Sequence, residues 1–419
     1  MNFEVIKRSH VKRNIIIGVV VVLVLSAIIL TFTRAKYKIT ESMDLVNGTI
    51  NYELSDFNLI GAYIQTEGDN YTQVDEIPTS GYEFNGEKSY CTVNDENINV
   101  TLNYDMETQS LSVFPLTTKG TKCYLYFDEK ASSVTDVIED AYEENQDMLA
   151  YDETADNNLR YIGANPNNYV YFNCDDYNNP SSSTCELWRI IGIFNENSHG
   201  ISGEKLVKII KNSSLGSVPW DETGGTFGRN SWYGADLQES LNSDYLARIG
   251  DYNSNGIKDS SREIIQSVTW FLGATAVDQN YVNASRLYSD ERGTQVNGGN
   301  ATRWQGKIGL MYASDFAYAT YSSVSNREAC LNTSMYYWAD NTSCASNSWL
   351  FFRRAWTITP YYEAAGYSYY VVYVRNDKYR LYYNAANSSW DVYPSLYLSS
   401  EVSITGGDGT QSNPYTLSN

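Results

Sequence analysis

Hydrophobic residues form one unbroken block near the start of the chain, from residue 15 to residue 33, and no charged side chain lies within it. As a helix at about 1.5 Å per residue, the block spans roughly 28 Å, which matches the hydrocarbon core of a bilayer. Four basic residues precede it and three follow, so the sequence predicts a single-pass membrane helix with residues 1–14 as a cytoplasmic basic tail. The alternative is a cleaved signal peptide, although the apolar region of such peptides usually has about 7 to 15 residues.

Between residues 37 and 130 the pattern changes to short runs in which apolar and polar residues alternate. Examples are INVTLNYD and KCYLYFDE, and Asn, Gly, Asp and Pro separate the runs. A period of two is typical of strands that bury one face. The pattern predicts a small all-β stalk domain, an antiparallel sandwich of the immunoglobulin-like type.

The spacing of hydrophobic residues shifts to three and four between residues 133 and 149, which predicts one amphipathic helix inside a linker of residues 131–155. From residue 156 to residue 419, short strand-like runs surround two helical stretches at 234–246 and 260–270. This region is predicted to be a single large α+β domain. All nine Trp of the chain lie in it, and the predicted core residues among them are Trp188, Trp232, Trp270, Trp304, Trp349 and Trp356.

The charge balance excludes one class of function. Lys and Arg number 30 against 50 Asp and Glu, for a formal net charge of -20, and such an acidic chain cannot wrap nucleic-acid phosphates. The chain has two histidines, His10 and His199, so a metal site built from several histidines is also excluded. His199 follows a predicted strand and precedes a Gly, and we expect it to be an exposed loop residue.

Six cysteines fall into three local pairs along the chain. The pairs are Cys91 with Cys123, Cys174 with Cys185, and Cys330 with Cys344. No CxxC motif or Cys/His cluster accompanies them, which argues against zinc. The simplest interpretation is three sequential disulfides in an oxidising compartment, so the bulk of the chain is expected to be extracellular. Six buried free thiols in a cytosolic protein are the alternative.

Several segments resemble those of a known protein family. They are DNNLRYIGANPNNYVYFN at 156–173, LWRIIGIF at 187–194, KIGLMYASDF at 307–316, WTITP at 356–360 and ITGGDGTQSNPYTL at 404–417. The chain resembles single-pass surface proteins of gut Firmicutes over nearly its whole length. Its C-terminal domain is also similar to domains of unknown function related to the C-type lectin-like fold, which formylglycine-generating enzymes share. The resemblance implies a C-type lectin-like α+β fold for residues 156–419 and no particular activity.

Two departures limit what the resemblance implies. Relatives carry an Arg in a Val-Arg-Pro strand near the end, where this chain has Val392, Tyr393 and Pro394. The copper-binding cysteine pair of formylglycine-generating enzymes has no counterpart, because Cys330 and Cys344 stand 14 positions apart. The resemblance therefore does not support an enzyme.

Tyrosines are concentrated near the C-terminus, with 11 of them between Tyr361 and Tyr397, interleaved with Ser, Asn, Gly and Asp. This composition is typical of antibody-type binding surfaces, in which Tyr supplies rigid contact area and Ser or Asn supplies adaptable hydrogen bonds. The candidate ligand-binding residues are Tyr367, Tyr369, Tyr370, Tyr373, Tyr379, Tyr382, Tyr383 and Trp390. The alternative is that alternate tyrosines cover a half-exposed sheet, since Tyr is a strong strand former.

One loop matches part of a calcium-binding motif. Side-chain oxygens stand at positions 1, 3, 5 and 9 of the motif, with a Gly at its turn. The residues that carry these oxygens are Asp251, Asn253, Asn255 and Asp259. Position 12 is Arg262, where the motif needs a bidentate Glu. Calcium is thus a candidate ligand, a plain surface turn is the alternative, and the sequence requires no other cofactor.

The sequence as a whole favours a non-enzymatic surface protein, anchored by residues 15–33, whose C-terminal domain binds or adheres to a glycan or protein ligand. A second hypothesis is an enzyme that acts on envelope polymers or on proteins, and a third is a structural envelope protein. A concave aromatic pocket would favour binding. Converging carboxylates with raised pKa would favour an enzyme, and a flat polar surface would favour the structural role.

Overall fold

The computed structural model describes residues 58–66, 70–79, 81–106, 108–115, 120–129, 132–222, 230–279, 281–320, 324–340, 342–351, 354–363, 369–378 and 380–418. The chain separates into two compact units, Met1–Ala131 and Ser132–Asn419. Each unit has its own hydrophobic core. The second unit contains both the predicted helix at 133–149 and the predicted large domain.

The first unit is built from strands. They are β1 (Asn58–Gln65), β2 (Tyr71–Val74), β3 (Tyr82–Val93), β4 (Glu96–Ile98), β5 (Thr101–Asp105), β6 (Ser110–Phe114) and β7 (Thr121–Glu129). One sheet has the order β2-β1-β7-β3-β4, and β5 pairs with β6. In β7 every second residue is buried, as expected of a strand that packs one face on a core. Cys123 in this strand lies directly opposite Cys91 in β3.

The second unit contains most of the strands. They are β8 (Ser132–Ser133), β9 (Leu149–Tyr151), β10 (Leu159–Tyr161), β11 (Tyr169–Phe172), β12 (Glu186–Phe194), β13 (Leu206–Lys211), β14 (Ser217–Pro219), β15 (Ile265–Gln266), β16 (Val268–Phe271), β17 (Arg303–Gly306), β18 (Ile308–Leu310), β19 (Trp356–Pro360), β20 (Tyr370–Arg375), β21 (Arg380–Ala385), β22 (Ser389–Asp391), β23 (Pro394–Leu398), β24 (Ser403–Gly406) and β25 (Thr416–Ser418). The helices are α1 (Val134–Glu144), α2 (Glu196–His199), α3 (Asp236–Ser240), α4 (Asp259–Arg262), α5 (Ala284–Glu291), α6 (Ala313–Tyr318), α7 (Val324–Asn332) and α8 (Thr342–Ser346). A π-helical turn, Leu241–Tyr245, follows α3, and 3-10 turns lie at Gly250–Tyr252, Met335–Asp340 and Asn376–Lys378.

One eight-stranded sheet forms the centre of the second unit, in the order β15-β23-β13-β12-β10-β9, with β11 added on β12 and β18 on β23. Strands β12 and β13 are nearly continuous apolar runs that are almost wholly buried, which is typical of strands covered on both faces. Gly192 is required where β10 approaches β12, since a Cβ there would lie 2.2 Å from the Leu159 carbonyl oxygen. The predicted core tryptophans are confirmed as buried, except that Trp304 is half-buried against the same core.

Two small sheets carry the tyrosine-rich segment. Strands β19, β20 and β21 form one antiparallel sheet, in which Tyr373 lies opposite Tyr382. Strand β22 pairs with the much earlier strand β14, so that Trp390 lies opposite Val218. A bridge between Ala355 and Asp391 connects the start of β19 to β22. Segments that are distant in the sequence therefore meet beside Trp390.

The predicted fold class is wrong. The regular structure of the described residues is mostly β-strand with few helices, whereas an α+β protein with a transmembrane helix, a small immunoglobulin-like sandwich and a large α+β domain was expected. In the first unit β1 runs parallel to β7, although the predicted immunoglobulin-like sandwich is antiparallel. In the second unit, predicted to be a C-type lectin-like α+β domain, the expected helix at 260–270 is replaced by α4, β15 and β16. Ile264, Ile265 and Val268 are β-branched and buried, and such residues favour short strands covered on both faces.

The predicted location, a single-pass membrane protein with a cytoplasmic N-terminus, is also corrected. Within the described ranges, no helix is long and apolar enough to cross a membrane. Residues 1–14 and 15–33, on which the prediction rested, lie outside the described residues.

The predicted disulfides are confirmed. Cys91 is bonded to Cys123 in the first unit. In the second unit, Cys174 is bonded to Cys185 and Cys330 to Cys344. Disulfides of this kind are typical of secreted and extracellular proteins, which fold in an oxidising compartment.

Candidate functional site

The tyrosine-rich segment forms a continuous band of aromatic rings, in which neighbouring ring centroids are 4.4 to 6.4 Å apart. In spatial order, this aromatic band contains Tyr369, Tyr370, Tyr383, Tyr382, Tyr373 and Trp390. The structure thus brings these predicted ligand-binding residues together. The other two, Tyr367 and Tyr379, lie outside the described residues.

The rings of the aromatic band pack against one another and against the core. Tyr373 is 4% exposed and stacks on Trp390, with ring centroids 4.9 Å apart and planes inclined by 7°. Trp356 packs edge-on against the same indole. Burial accordingly raises the pKa of the Tyr373 hydroxyl. Part of the band is therefore packed sheet surface, and Trp390 is the member that lines a cleft.

This cleft has a volume of about 370 Å³. Its lining combines one indole with polar and charged side chains, namely Ser217, Arg354, Asn376, Ser389, Trp390 and Asp391. Strand β14 supplies Ser217, and the 3-10 turn after β20 supplies Asn376. The Asp391 N–H donates to the Arg354 carbonyl oxygen at 3.2 Å, which fixes Arg354 beside β22. A cleft of this size and composition suits a small polar ligand.

Charged side chains surround the Arg354 end of the cleft. Arg375 holds Asp377 through two hydrogen bonds, from Nε at 2.9 Å and from Nη2 at 3.3 Å. These bonds hold the pKa of Asp377 below its usual value. Arg354 is a more distant partner, because its Nη2 lies 3.7 Å from Asp377. The Arg354 guanidinium also lies over Trp390, 5.3 Å from the ring centroid.

Arg354 has an unusual backbone conformation. Its φ angle is +50°, in the left-handed region that few non-glycine residues adopt. That region costs a residue with a Cβ roughly 1 kcal/mol or more. Strained residues are concentrated at ligand-binding and active sites. Eight non-glycine residues in the described part of the chain have a positive φ, and Arg354 is the one among them that lines the cleft, which makes it a candidate functional residue.

Among the predicted ligand-binding residues that the structure describes, Trp390 lines the cleft. The other lining residues were not predicted. Asn376, Ser389 and Asp391 lie within the tyrosine-rich segment, whose composition could have indicated them. Ser217 and Arg354 carry no comparable signal, because only the pairing of β14 with β22 and the bridge at Ala355 bring them to Trp390.

The predicted calcium ligands Asp251, Asn253, Asn255 and Asp259 are all exposed. Asp259 begins α4 and pairs with Arg262 at 2.8 Å. Gly256 is explained by packing, since a Cβ there would lie 2.7 to 2.8 Å from backbone atoms of neighbouring turns. In the described part of the chain, no group of three or more His, Cys, Asp or Glu side chains could hold a metal ion. Calcium binding by this loop stays a prediction.

A second cluster of charged residues lies inside the core of the second unit. Arg160 donates to Asp152 at 2.8 Å and to Asp315 at 2.7 Å. Lys208 donates to Asp315 at 2.6 Å, and all four side chains are at most 1% exposed. Burial alone would raise the pKa of Asp315, but the charges of Lys208 and Arg160 hold it below its usual value. This buried cluster therefore consists of ion pairs sealed from solvent.

Glu291 has the raised pKa that would favour an enzyme. Burial is the cause of this shift. The carboxylate accepts hydrogen bonds from the Ser314 N–H at 3.0 Å and from the Thr359 hydroxyl at 2.7 Å. Glu291 is 0% exposed, so a substrate does not reach it in this conformation.

His199 is buried, so the prediction of an exposed loop residue is wrong. It ends α2 at 0% exposure, and its Nδ1 accepts a hydrogen bond from the Ile201 N–H at 3.2 Å. The proton is therefore on Nε2, which donates to the Phe194 carbonyl oxygen at 3.1 Å. Burial lowers the pKa of the imidazole. His199 is thus a neutral core residue.

Comparisons with known proteins found no match among protein-family models, curated proteins or solved structures. The resemblance to surface proteins of gut Firmicutes stays a prediction. The cleft beside Trp390 is the structural feature that bears most directly on function.

Proposed function

We propose that this protein is a non-enzymatic binding protein that recognises a glycan in the cleft beside Trp390. The observation that carries the proposal is the combination of a half-buried indole with Ser217, Asn376, Ser389 and Asp391 around one concave cleft. Sugars present several hydroxyl groups together with apolar C–H surfaces. They therefore need hydrogen-bonding side chains and an aromatic ring in the same place.

The size of the cleft favours a glycan over a protein ligand. Small-molecule sites have volumes of about 300 to 1,000 Å³, and this cleft has a volume of about 370 Å³. A stable protein partner usually covers about 800 Å² on each side of the interface. The neighbouring aromatic band offers little free area for such a partner, because its rings stack on one another.

The disulfides support a function outside the reducing cytosol. All six cysteines of the chain are disulfide-bonded. Complete pairing is typical of secreted or extracellular proteins. Such a setting gives the cleft access to the glycans of cell surfaces and secreted polymers.

A bulky side chain inside the cleft tests the proposal without disturbing the core. Ser389 is exposed and lines the cleft, so Ser389→Trp should fill it and weaken glycan binding by about tenfold or more. Ser412→Trp places the same side chain at an exposed position in another loop and should leave binding unchanged. Trp390→Ala is less informative, because Tyr373 packs on this indole and the variant could lose its fold.

The 419-residue chain would be screened on an array of neutral and acidic glycans, with and without calcium, and titration calorimetry would measure the hits. Specific binding that Ser389→Trp loses and Ser412→Trp keeps supports the proposal. Absence of glycan binding, or equal binding by all three proteins, contradicts it. A requirement for calcium would add the loop at Asp251 to the site.

A further inference from the structure

We infer that the cleft selects acidic saccharides, and that Arg354 contacts the carboxylate or sulfate group of the ligand. The inference rests on the proposed glycan binding and adds the chemical class of the ligand. Carboxylate and sulfate share the oxyanion geometry that an arginine guanidinium recognises through paired hydrogen bonds.

The cleft is less acidic than the chain as a whole. Its lining carries one cation, Arg354, and one anion, Asp391, and the ion pair of Arg375 with Asp377 lies beside Arg354. The chain as a whole has a net charge of -20. A cleft with balanced charges on an acidic protein repels an anion less than the rest of the surface does, so an anion that reaches the cleft meets the Arg354 guanidinium.

Asp377 does not neutralise its two arginine neighbours equally. Arg375 donates two hydrogen bonds to the Asp377 carboxylate, at 2.9 and 3.3 Å. Arg354 Nη2 lies 3.7 Å from an oxygen of the same carboxylate. Within the described residues, no other carboxylate lies at ion-pair distance from Arg354. The Arg354 side chain is 51% exposed, and its guanidinium therefore has donors left for a ligand anion. The strained φ of +50° at Arg354 fits a residue held in place for binding.

Two further cations stand next to each other on the neighbouring strands β20 and β21. Arg375 and Arg380 lie directly opposite on β20 and β21, and both guanidinium groups lie over the ring of Tyr382. Like charges in directly opposite positions destabilise a sheet. The buried Nε of Arg380 also has no hydrogen-bond partner among the described residues. Because Arg375 is paired with Asp377, Arg380 is the member of this pair of cations that has no carboxylate at ion-pair distance among the described residues.

Asp391 explains why the ligand is a saccharide and not a small inorganic anion. Its carboxylate lines the same cleft, where the Ser217 hydroxyl donates to it. A carboxylate repels a simple anion but accepts hydrogen bonds from hydroxyl groups. An acidic saccharide carries both groups, an oxyanion for Arg354 and hydroxyls for Asp391.

Matched pairs of acidic and neutral probes test the inference by titration calorimetry on the whole chain. Trigalacturonic acid is compared with its methyl ester, which lacks the negative charges, and sulfated lactose is compared with lactose. We expect the acidic member of a pair to bind about tenfold more tightly or better. The difference should shrink as the salt concentration rises, because salt screens the Coulombic attraction. The pair with the larger ratio distinguishes a carboxylate from a sulfate.

Variants that change one charged side chain test whether Arg354 causes the preference for acidic over neutral saccharides. Arg354→Gln should remove most of it, and Arg354→Lys should keep a part, since Lys retains the charge but not the paired donors. Arg286→Gln should leave the preference unchanged. Arg286 is a matched control, because its side chain is also 51% exposed and also pairs with a single Asp, Asp290.

The two possible failures are distinguishable. Equal binding of acidic and neutral probes, or an Arg354→Gln variant that keeps the preference, overturns the inference while glycan binding stands. Absence of binding to every acidic and neutral glycan overturns the proposed function as well. Circular dichroism confirms that each variant is folded before its affinity is compared.

Discussion

Two clusters of arginine and aspartate in the second unit differ in how completely their charges are paired. In the core, Arg160 makes ion pairs of 2.8 and 2.7 Å with Asp152 and Asp315, and its side chain is 1% exposed. At the cleft, Arg354 is 51% exposed and lies 3.7 Å from Asp377. The buried cluster is sealed from solvent and the cleft is open to it, so the first is expected to affect stability and the second is the proposed binding site.

The buried cluster is closed because water cannot solvate its charges. The Arg160 guanidinium also lies over the rings of Phe194 and Tyr318, at 4.7 and 5.1 Å from their centroids. Burial of such pairs costs desolvation energy, so the cluster need not be more stable than apolar packing would be. Loss of one member, however, leaves a carboxylate charge unpaired inside the core. At the cleft, water can solvate the donors of the Arg354 guanidinium that no carboxylate binds.

The largest effect should therefore follow from removal of the buried cation. Arg160→Met leaves Asp152 without its cation, and we expect the free energy of unfolding of the second unit to fall by about 3 to 5 kcal/mol. Tryptophan fluorescence during urea unfolding measures this unit selectively, because all nine Trp lie within it.

Arg286→Met is the matched control for this measurement. Arg286 pairs with Asp290 at 2.6 Å on an exposed helix face, and loss of such a pair costs less than about 1 kcal/mol. If Arg160→Met were no more destabilising than Arg286→Met, burial would not be the property that separates the two clusters.

A smaller effect should reveal the strain in the open cleft. Arg354→Gly and Arg354→Ala remove the same guanidinium, but only Ala keeps a Cβ at a φ of +50°. We expect the Gly variant to be more stable than the Ala variant by about 1 kcal/mol, and both to lose the preference for acidic saccharides. Urea unfolding and titration calorimetry measure the two properties on the same samples. A Gly variant less stable than the Ala variant would mean that the backbone at this position is not strained.

Features that depend on sequence neighbours were predicted well. The alternation in KCYLYFDE indicated β7. The predicted helix at 133–149 corresponds to α1, whose N-cap Ser133 accepts a hydrogen bond from the Asp136 N–H. The fold class was not predicted, because the parallel pairing of β1 with β7 joins segments far apart in the chain. No local pattern records such a pairing.

In the candidate site, too, local features were predicted from the sequence and features that depend on distant contacts were not. The composition near Trp390 indicated the aromatic band, because tyrosines are dense over a short segment. The importance of Arg354 depends instead on its φ angle and on its distance from Asp377, and neither is visible in the sequence. The exposure of His199 was predicted wrongly for a related reason, since the residue ends the short helix α2 and is buried in the core of the second unit.

The buried His199 makes the free energy of unfolding depend on pH. Burial lowers the pKa of His199 below its usual 6.5, although the charges of Glu204 and Glu196 act in the opposite direction. The unfolded chain therefore takes up this proton at a higher pH than the folded protein does. Stability should fall as the pH is lowered through about 6.5 toward the folded-state pKa.

The smallest expected effect is a difference between the original chain and the variant His199→Gln in how stability depends on pH. His199→Gln keeps a donor for the Phe194 carbonyl oxygen and an acceptor for the Ile201 N–H, but it cannot be protonated. Between about pH 7 and pH 5, we expect the original chain to lose stability more steeply than the variant, and above that range the two curves should run parallel. Urea unfolding followed by tryptophan fluorescence at a series of pH values measures both. Parallel curves throughout would mean that protonation of His199 does not oppose folding.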